Sequence, residues 1–374
     1  MFDFSIKNTT KFTLAFIITT SLFACGGNDS AQAPIIDEPP IPSGPSFSFA
    51  GLKDRIIYDL DNIDGQLFAA TDKGLYKEVE VNKWQLIGHD TWVIKDWEIM
   101  ADGRWIVSTS DADSLVGLPT RYDVYESLDD GQTWQKVEHN FGGNTEPDAE
   151  PERIFKFTED SAVLFAVGYA SLGRSYNSGH SWELLDGFWH GFSTGLNAVI
   201  LSPDRTNIWY GGQGAIENLV LTRYQINSGI STNLSDKTTD LLPTPSVVKN
   251  ILFDPINSQR IFVCAEGGII QSTDEGETWQ AFFLNNDHRF YFDMAADPSQ
   301  QGRFFTAGWA KTPEAQPLTL DVSSDDGQNW TSYPHPDKSI YGGVYSIISR
   351  IESGKTVVYL GTFKGGLIRV TDFP

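Results

Sequence analysis

From residue 46 onward, hydrophobic residues recur in short runs that alternate with polar positions and are separated by glycine-containing turns. Three stretches show the pattern: LFAATDKGLYK (Leu67–Lys77), RIFVCAEGGIIQS (Arg260–Ser272) and VVYLGTFKGGLIR (Val357–Arg369). Alternation with a period of two, bounded by turn residues, predicts β-strands. We therefore expect an all-β fold built from hairpins.

A short acidic peptide marks the repeat unit. It reads SLDDGQTW at its first occurrence, and its four copies, called the boxes below, are Ser127–Trp134, Ser175–Trp182, Ser272–Trp279 and Ser323–Trp330. The copies begin 48, 97 and 51 residues apart (175 − 127, 272 − 175, 323 − 272), so the middle gap holds one further unit. Two degraded copies complete the series, Gln225–Thr232 and Lys77–Trp84, and the second of these retains only the tryptophan.

A period of about 50 residues with four strands per unit is typical of a β-propeller blade. Third strands are predicted near residues 77, 127, 175, 225, 272, 323 and 369, which gives a seven-bladed β-propeller of four-stranded antiparallel blades. The last repeat ends before its fourth strand. Because the alternating segment Ser46–Gly51 has no other partner, we expect it to complete the last blade, close the ring and remove an open sheet edge.

Each box residue suits a tight turn. The acidic side chain can accept backbone N–H groups, the glycine tolerates a positive φ, and the tryptophan can pack between blades. A calcium loop is the alternative, but the distal bidentate glutamate of such loops is missing, so we predict no metal and no cofactor. The predicted structural residues are Asp129, Gly131, Trp134, Asn177, Gly179, Trp182, Asp274, Gly276, Trp279, Asp325, Gly327 and Trp330.

The box resembles the Asp-box (BNR-like) repeat of sialidases, sortilin-type receptors, xyloglucan-cleaving endoglucanases and photosystem II assembly propellers. The resemblance covers nearly the whole chain after residue 45 and implies a propeller. It says little about function, because the box lies on the turn between strands three and four, far from the face where these proteins bind ligands.

The chain has 374 residues, with 27 Lys and Arg against 49 Asp and Glu, a net charge of −22. Duplex nucleic acid is disfavoured as a partner because its recognition needs a basic surface. The N-terminus has basic Lys7 and Lys11, followed by the apolar run Phe12–Ala24, which is short for a membrane span. Residues 1–24 are therefore predicted to be a signal peptide.

The sequence around Cys25 resembles the lipobox of bacterial lipoproteins, with a small residue before it and two glycines after it. That resemblance implies cleavage before Cys25, acylation of its thiol and new amine, and a membrane anchor. Gly26 is not the aspartate that marks inner-membrane retention in enteric bacteria, which favours the outer membrane. With Cys25 acylated, Cys264 is left without a disulfide partner and is predicted to be buried. Residues 25–45 form the predicted lipidated, proline-rich tether and residues 46–374 the propeller, which we expect to be monomeric.

Ligands are expected on the face opposite the boxes, built by the loops between blades and by those joining strands two and three. Five of the six histidines fall there, His89, His139, His190, His288 and His335, but without metal-ligand spacing. Aromatic and charged residues in these loops suit carbohydrate or peptide recognition. The candidate ligand-binding residues are Asp90, Trp92, Trp189, His190, Asp287, His288, Arg289, Trp309 and Tyr341.

Three functions compete. A sialidase resemblance implies an arginine triad and a tyrosine nucleophile, but the Phe/Tyr-Arg-Ile-Pro hallmark is absent and those enzymes have six blades. The xyloglucanase-like enzymes join two propellers, whereas this chain offers one. The third function is a non-catalytic scaffold that binds a protein or a glycan, and this is our prediction. A glycan-active enzyme is the alternative, and it would need two carboxylates about 5 to 10 Å apart.

Overall fold

Seven four-stranded antiparallel sheets make up a computed structural model of the chain, which describes residues 44–113, 121–143, 150–285 and 287–374. They form the seven-bladed propeller that the repeat predicts. Third strands occur at all seven predicted positions, including the two degraded repeats. The predicted signal peptide, Cys25 and most of the tether lie outside the described residues.

The strands of blades one to three, with the closing strand first, are β1 (Ser46–Gly51), β2 (Ile57–Ile63), β3 (Gln66–Thr71), β4 (Gly74–Glu80), β5 (Lys83–Ile87), β6 (Val93–Ile99), β7 (Trp105–Ser110), β8 (Tyr122–Ser127), β9 (Gln135–Lys136), β10 (Lys156–Asp160), β11 (Val163–Val167), β12 (Ser171–Ser175) and β13 (Glu183–Gly187).

The strands of blades four to seven are β14 (Gly195–Leu201), β15 (Asn207–Gln213), β16 (Leu219–Gln225), β17 (Ile230–Asn233), β18 (Val248–Phe253), β19 (Ile261–Ala265), β20 (Gly268–Ser272), β21 (Gln280–Leu284), β22 (Phe290–Ala296), β23 (Phe304–Trp309), β24 (Thr319–Ser323), β25 (Thr331–Pro334), β26 (Val344–Glu352), β27 (Lys355–Thr362) and β28 (Leu367–Thr371). One helical turn, α1 (Ser235–Thr238), and a 3-10 turn (Thr239–Leu241) follow β17.

The N-terminal strand closes the ring. β1 pairs antiparallel with β28, so that Ser46 lies opposite Thr371 and Phe49 lies opposite Ile368. The last blade therefore has the order β1-β28-β27-β26, as predicted. The indole N–H of Trp84 in blade one donates to the carbonyl of Ala50 at 2.9 Å, which ties the closing strand to the next blade.

The apolar side chains pack between neighbouring blades. One buried cluster joins Trp209 and Leu221 of blade four to Val263 and Ile270 of blade five, and similar clusters fill the other interfaces. Cys264 is fully buried beside Phe262, as predicted, and burial raises the pKa of its thiol. In the described part of the chain, no helix has the length and apolar character that a membrane span requires.

The propeller has two distinct ends. We call the end that carries the turns between strands three and four the box face, since all four boxes lie there. The opposite end, with the loops between blades and the loops from strand two to strand three, is the mouth face. First strands run from the mouth face to the box face, so their first residues surround the mouth of the central channel.

Candidate functional site

The boxes are closed hydrogen-bonded turns. The carboxylate of Asp129 accepts the Ser127 hydroxyl at 2.8 Å, the Thr133 backbone N–H at 2.8 Å and the Thr133 hydroxyl at 2.6 Å. The N–H of Gly131 donates to the Ser127 hydroxyl oxygen at 2.9 Å. The hydrogen bonds from Thr133 lower the pKa of the Asp129 carboxyl.

The other boxes repeat this geometry. Asp274 accepts the Thr278 N–H and hydroxyl at 2.8 and 2.6 Å, which lowers its pKa to about 2. In the second box Asn177 accepts the Ser181 N–H at 2.8 Å, so the turn forms without a negative charge. Each box tryptophan donates its indole N–H to the box glycine carbonyl. Because an uncharged residue can replace the aspartate, the boxes are structural turns.

One feature of the boxes was not predicted. The residue before each box glycine also has a positive φ, for example Asp130 at 56° followed by Gly131 at 80°, and Glu275 at 59° followed by Gly276 at 85°. Two consecutive left-handed residues reverse the chain tightly. The box tryptophans are then held against the interblade core, where Trp182 is buried against Phe141.

A second recurring feature surrounds the channel. Six of the seven first strands have a register shift near their start, which leaves one residue, or two in blade six, unpaired with the second strand of the same blade. Such bulges redirect a side chain and are common beside functional sites. The residues at these bulges are Tyr58, Lys95, Asn197, Lys249, Phe292 with Asp293, and Tyr345.

Polar side chains at or next to the bulges, together with Lys156 on the regular first strand of blade three, form what we call the belt: Asp59, Asp96, Lys156, Asn250, Asp293 and Ser346. The Lys156 ammonium contacts Asp59 at 3.1 Å and Asp96 at 2.7 Å. Asp96 also accepts the Phe157 N–H at 2.6 Å, and Asp293 accepts the Ile347 N–H at 2.8 Å. These bonds join different blades, including blades one and three through Lys156, so the belt fixes the blades around the channel.

Carboxylates crowd the lower channel. Burial raises the pKa of Asp61 to about 8 and that of Glu98 to about 8, and neighbouring carboxylates add to both shifts. Burial likewise raises the pKa of Asp96 to about 6, despite Lys156 nearby. The Trp97 indole N–H donates to Asp61 at 2.5 Å. The folded chain therefore retains protons there that exposed carboxyls would release.

Cations and aromatic rings meet at the mouth. We call this group the mouth cluster: Tyr58, Lys95, Phe290, Phe292, Lys249, Lys311 and Tyr345. On one side, the Lys95 ammonium lies 3.4 Å from the Tyr58 ring centroid and 2.5 Å from Asp113. Asp113 also accepts the Tyr58 hydroxyl at 2.5 Å. On this side of the mouth, the positive charge of Lys95 is therefore balanced by the carboxylate of Asp113.

On the other side of the mouth, the two lysine ammonium groups have no ion-pair partner among the described residues. The Lys249 ammonium lies 5.1 Å from the Phe290 centroid and 4.8 Å from the Phe292 centroid, and the Lys311 ammonium lies 5.0 Å from the same Phe290 ring. Within the described residues, neither ammonium has an ion pair or hydrogen bond. Burial, and then the charge of Lys311, lower the pKa of Lys249 to about 7, while Glu266 opposes the shift.

The predicted loop aromatics are more buried than a binding platform requires. Trp309 is fully buried and stacks on Phe363 with centroids 5.0 Å apart. Trp92 is 8 % exposed and stacks on Tyr125 at 4.2 Å. The expectation that these two rings would offer a free face to a ligand is not met, because each packs between blades. Trp189 packs on Phe141 and half-buried Tyr341 on Phe363.

The polar candidates are divided between the mouth and the rim. Asp287 pairs with Arg289 at 2.8 Å, and the His288 ring lies 2.8 Å from the Thr244 hydroxyl. These three residues directly precede Phe290 and so border the mouth cluster. His190 instead donates its backbone N–H to the buried carboxylate of Glu152, and exposed Asp90 lies in the loop between blades one and two. The structure does not gather the nine candidates at one point.

The mouth cluster was missed by the sequence analysis, although a signal exists. At several bulges, two apolar residues precede the outward residue and a short polar residue follows it, as in IIYD (56–59), VIKD (93–96), VVKN (247–250) and FYFD (290–293). The short side chain then often accepts the next N–H, as Asp59 does from Leu60 at 3.0 Å. Aligning the first strands on this pattern places Tyr58, Lys95, Lys249 and Phe292 at equivalent positions.

A large cavity lies elsewhere, on the box face between blades five and six, with a volume of about 650 Å³. Its walls are polar, and their charges are paired: Arg260 contacts Asp326 at 2.6 Å and Asp254 at 3.5 Å, and Arg303 contacts Asp297 at 3.4 Å. Its lining residues, among those that the structure describes, do not combine an exposed aromatic ring with an unpaired cation, so we regard the mouth as the better candidate.

Comparison with known proteins supports the fold. No family model and no curated protein sequence matches the chain. Among solved structures, it is similar to the extracellular domain of a putative one-component system of B. thetaiotaomicron (14% identity, TM-score 0.61, covering 87% of this chain and 40% of that one). It is also similar to a GH74 enzyme of Niastella koreensis (16%, 0.61, 86% and 53%) and to the GH74 xyloglucanase of Xanthomonas campestris (15%, 0.58, 86% and 53%).

This chain spans about two fifths to half of the length of these proteins. At such low identity the similarity establishes the propeller fold alone. The neighbours include both extracellular domains and glycoside hydrolases, so they do not choose between binding and catalysis.

Proposed function

We propose that the protein is an envelope-anchored binding module that holds a protein or glycan ligand at its channel mouth. The observation that carries this proposal is the mouth cluster, where partly exposed Phe290 and Phe292 lie beside two unpaired ammonium groups. Aromatic faces with a few polar groups are the usual composition of ligand sites. The boxes, on the opposite face, hold the blades.

Engaged carboxylates favour binding over hydrolysis. Hydrolysis of a glycoside needs an acid and a second carboxylate that are both accessible to the substrate. Of the described carboxylates near the mouth, Asp113 is bound by Tyr58 and Lys95, and Glu152 accepts two backbone N–H groups at 2.7 Å. Glu266 accepts the Ser246 hydroxyl. Their hydrogen bonds give them positioning roles.

The anchor is part of the same proposal. Acylation of Cys25 would tether the domain to the outer membrane, and the extracellular domains among the structural neighbours are consistent with an envelope location. The tether enters β1 at the rim of the box face, because β1 runs antiparallel to β28. Metabolic labelling with a fatty-acid probe should mark the wild-type chain and not Cys25→Ser, and equal labelling of both would remove the anchor from the proposal.

A combined glycan and peptide array tests the binding function. The purified protein should bind a defined ligand set, and Phe290→Ala should weaken that binding by at least about tenfold, since the ring loses its contacts. Phe49→Ala removes a phenylalanine that is 49 % exposed on β1, the outermost strand of the last blade, and should leave binding unchanged. Release of sugar from an array glycan, or equal binding by both variants, would contradict the proposal.

A further inference from the structure

Resting on the proposed function, we infer that the Lys249 side of the mouth binds the carboxylate of an acidic sugar, such as a uronic acid residue within a glycan. We call this region the Lys249 corner, formed by Lys249, Phe290, Phe292, Lys311, Glu266 and His288. Its chemistry is an unpaired positive charge set against aromatic faces.

The positive charge is local and runs against the net charge of the chain. The whole chain has a charge of −22, yet Lys249 and Lys311 approach the single Phe290 ring from 5.1 and 5.0 Å. Lys249 is half-buried, so its ammonium is less hydrated than that of exposed Lys311, and the two like charges repel each other. A carboxylate bound to Lys249 would offset both effects, which a neutral group cannot do.

The corner is built from several elements, so its shape is fixed. Lys249 lies at the bulge of β18, and Phe290 begins β22. The backbone of Phe290 is bridged to Glu266, which also accepts the Ser246 hydroxyl. Lys311, with a φ of 50°, belongs to the loop after β23. Because the first strands are held by the belt, the ammonium of Lys249 and the two rings are positioned before a ligand arrives.

An acidic sugar fits this corner better than a polyanion or an acidic peptide. A pyranose ring has an apolar C–H face that packs on an aromatic ring and a hydroxyl rim that hydrogen-bonds. Within the corner, His288 is paired with Thr244 and Glu266 with Ser246, and the polar atoms of these pairs can meet the sugar hydroxyl groups. A long polyanion would be repelled by the remaining surface, and its binding would depend steeply on salt.

Calorimetric titration of the purified protein tests the inference with three probes: a galacturonic acid trisaccharide, a galactose trisaccharide and a short glutamate-rich peptide. The acidic trisaccharide should bind at least about tenfold more tightly than the neutral one, because a charge-assisted hydrogen bond distinguishes them. Lys249→Met should remove that preference, and Lys249→Arg should restore most of it.

Lys77→Met is the matched control. The Lys77 ammonium also lies over a phenylalanine ring, 5.5 Å from the Phe68 centroid. Lys77 is on β4 and Phe68 on β3, away from the mouth cluster. It should leave the affinity for the acidic trisaccharide within about twofold. A melting temperature of the Lys249→Met protein equal to that of the wild type would show that the variant keeps its fold.

The outcomes separate the inference from the proposed function. Equal affinity for the acidic and neutral trisaccharides, or no effect of Lys249→Met, would overturn the acidic-sugar inference while leaving the binding module intact. Binding of the glutamate-rich peptide in place of the sugar would overturn the ligand class. If none of the three probes binds, the inference is wrong, and the array with Phe290→Ala still decides whether the mouth is a binding site.

Discussion

The box face and the mouth face are formed by the same blades, but they differ in whether their charged side chains have hydrogen-bond or ion-pair partners. At the box face, Asp129 and Asp274 are half-buried and Asp325 is exposed, and the carboxylate of each accepts the hydrogen bonds of its own turn. At the mouth, Lys249 and Lys311 have neither an ion pair nor a hydrogen bond among the described residues. The hydrogen-bonded carboxylates of the boxes stabilise their turns, whereas the two ammonium groups without partners are available to a ligand.

The two faces also differ in how much their repeated features vary from blade to blade. The box geometry recurs almost unchanged in four blades, which is expected of a structural device. The bulge also recurs, but the residue it presents differs from blade to blade: tyrosine, lysine, asparagine or phenylalanine. The shared backbone provides the ring of positions, and the variable side chains give that ring its chemistry.

The largest expected effect comes from filling a box glycine. Gly327 has a φ of 80°, and a Cβ there would lie 2.1 Å from the Phe282 ring. Gly327→Ala should lower the free energy of unfolding by about 3 kcal/mol, through backbone strain and the clash with the interblade core. Urea denaturation measures this change.

Gly103→Ala separates the two causes. Gly103 also has a positive φ, 85°, but nothing lies within 4 Å of the added Cβ. Its cost should be about 1 kcal/mol, from backbone strain alone. An equal decrease in the free energy of unfolding for Gly327→Ala and Gly103→Ala would show that the box turns do not depend on close packing against the neighbouring blade.

Loss of the belt cation should be the next largest effect. Lys156→Met leaves Asp59 and Asp96 without their shared ammonium and should cost about 2 kcal/mol, a value reduced because the lysine side chain is 29% exposed. Adding Asp96→Asn should recover part of this loss, since the amide oxygen can still accept the Phe157 N–H. If the double variant is less stable than Lys156→Met, charge imbalance is not the cause.

The channel carboxylates predict a dependence of stability on pH. Their folded pKa values are raised, to about 8 for Asp61 and Glu98, so the folded chain holds protons that the unfolded chain releases above its ordinary carboxyl pKa. Stability should therefore be highest near the low end of the window between about pH 4 and pH 8, and it should fall as the pH rises. Melting temperatures across this window measure the effect.

Glu98→Gln should flatten this decline, because the amide needs no proton to remain uncharged. Glu314→Gln makes the same change of charge at an exposed position and should leave the slope unchanged. An equal effect of the two variants would assign the slope to the net charge of the chain.

The smallest effect concerns ligand affinity. With its pKa lowered to about 7, Lys249 is mostly charged at pH 6 and mostly neutral at pH 8, while Lys311 and Glu266 face it at the corner. The affinity for the galacturonic acid trisaccharide should fall by up to about tenfold over that interval. The Lys249→Met protein should show a flat profile, and a decline of the same size in that variant would exclude Lys249 as the group responsible.

The sequence predicted the features that local rules determine. Strand alternation and the boxes identified seven blades and their turns, because these follow from residues close together in the chain. The closing strand Ser46–Gly51 followed from the repeat count, which left the last blade one strand short. It did not predict the mouth cluster, because a bulge at Lys249 or Tyr345 depends on how strands one and two pair. The loop aromatics Trp92 and Trp309 were misleading for a physical reason: large apolar rings gain more from burial between blades than from exposure.

We propose that ligands bind at the mouth face and not at the box face. Hydroxyl-radical footprinting in the presence of the galacturonic acid trisaccharide tests it directly, because partly exposed aromatic rings lie on both faces. We predict reduced labelling of Phe290, Phe292 and Tyr345, with Trp279 and Trp330 unchanged. Protection of the two box tryptophans, with the mouth rings labelled as in the free protein, would place the site at the box face and rule out the mouth as the ligand site.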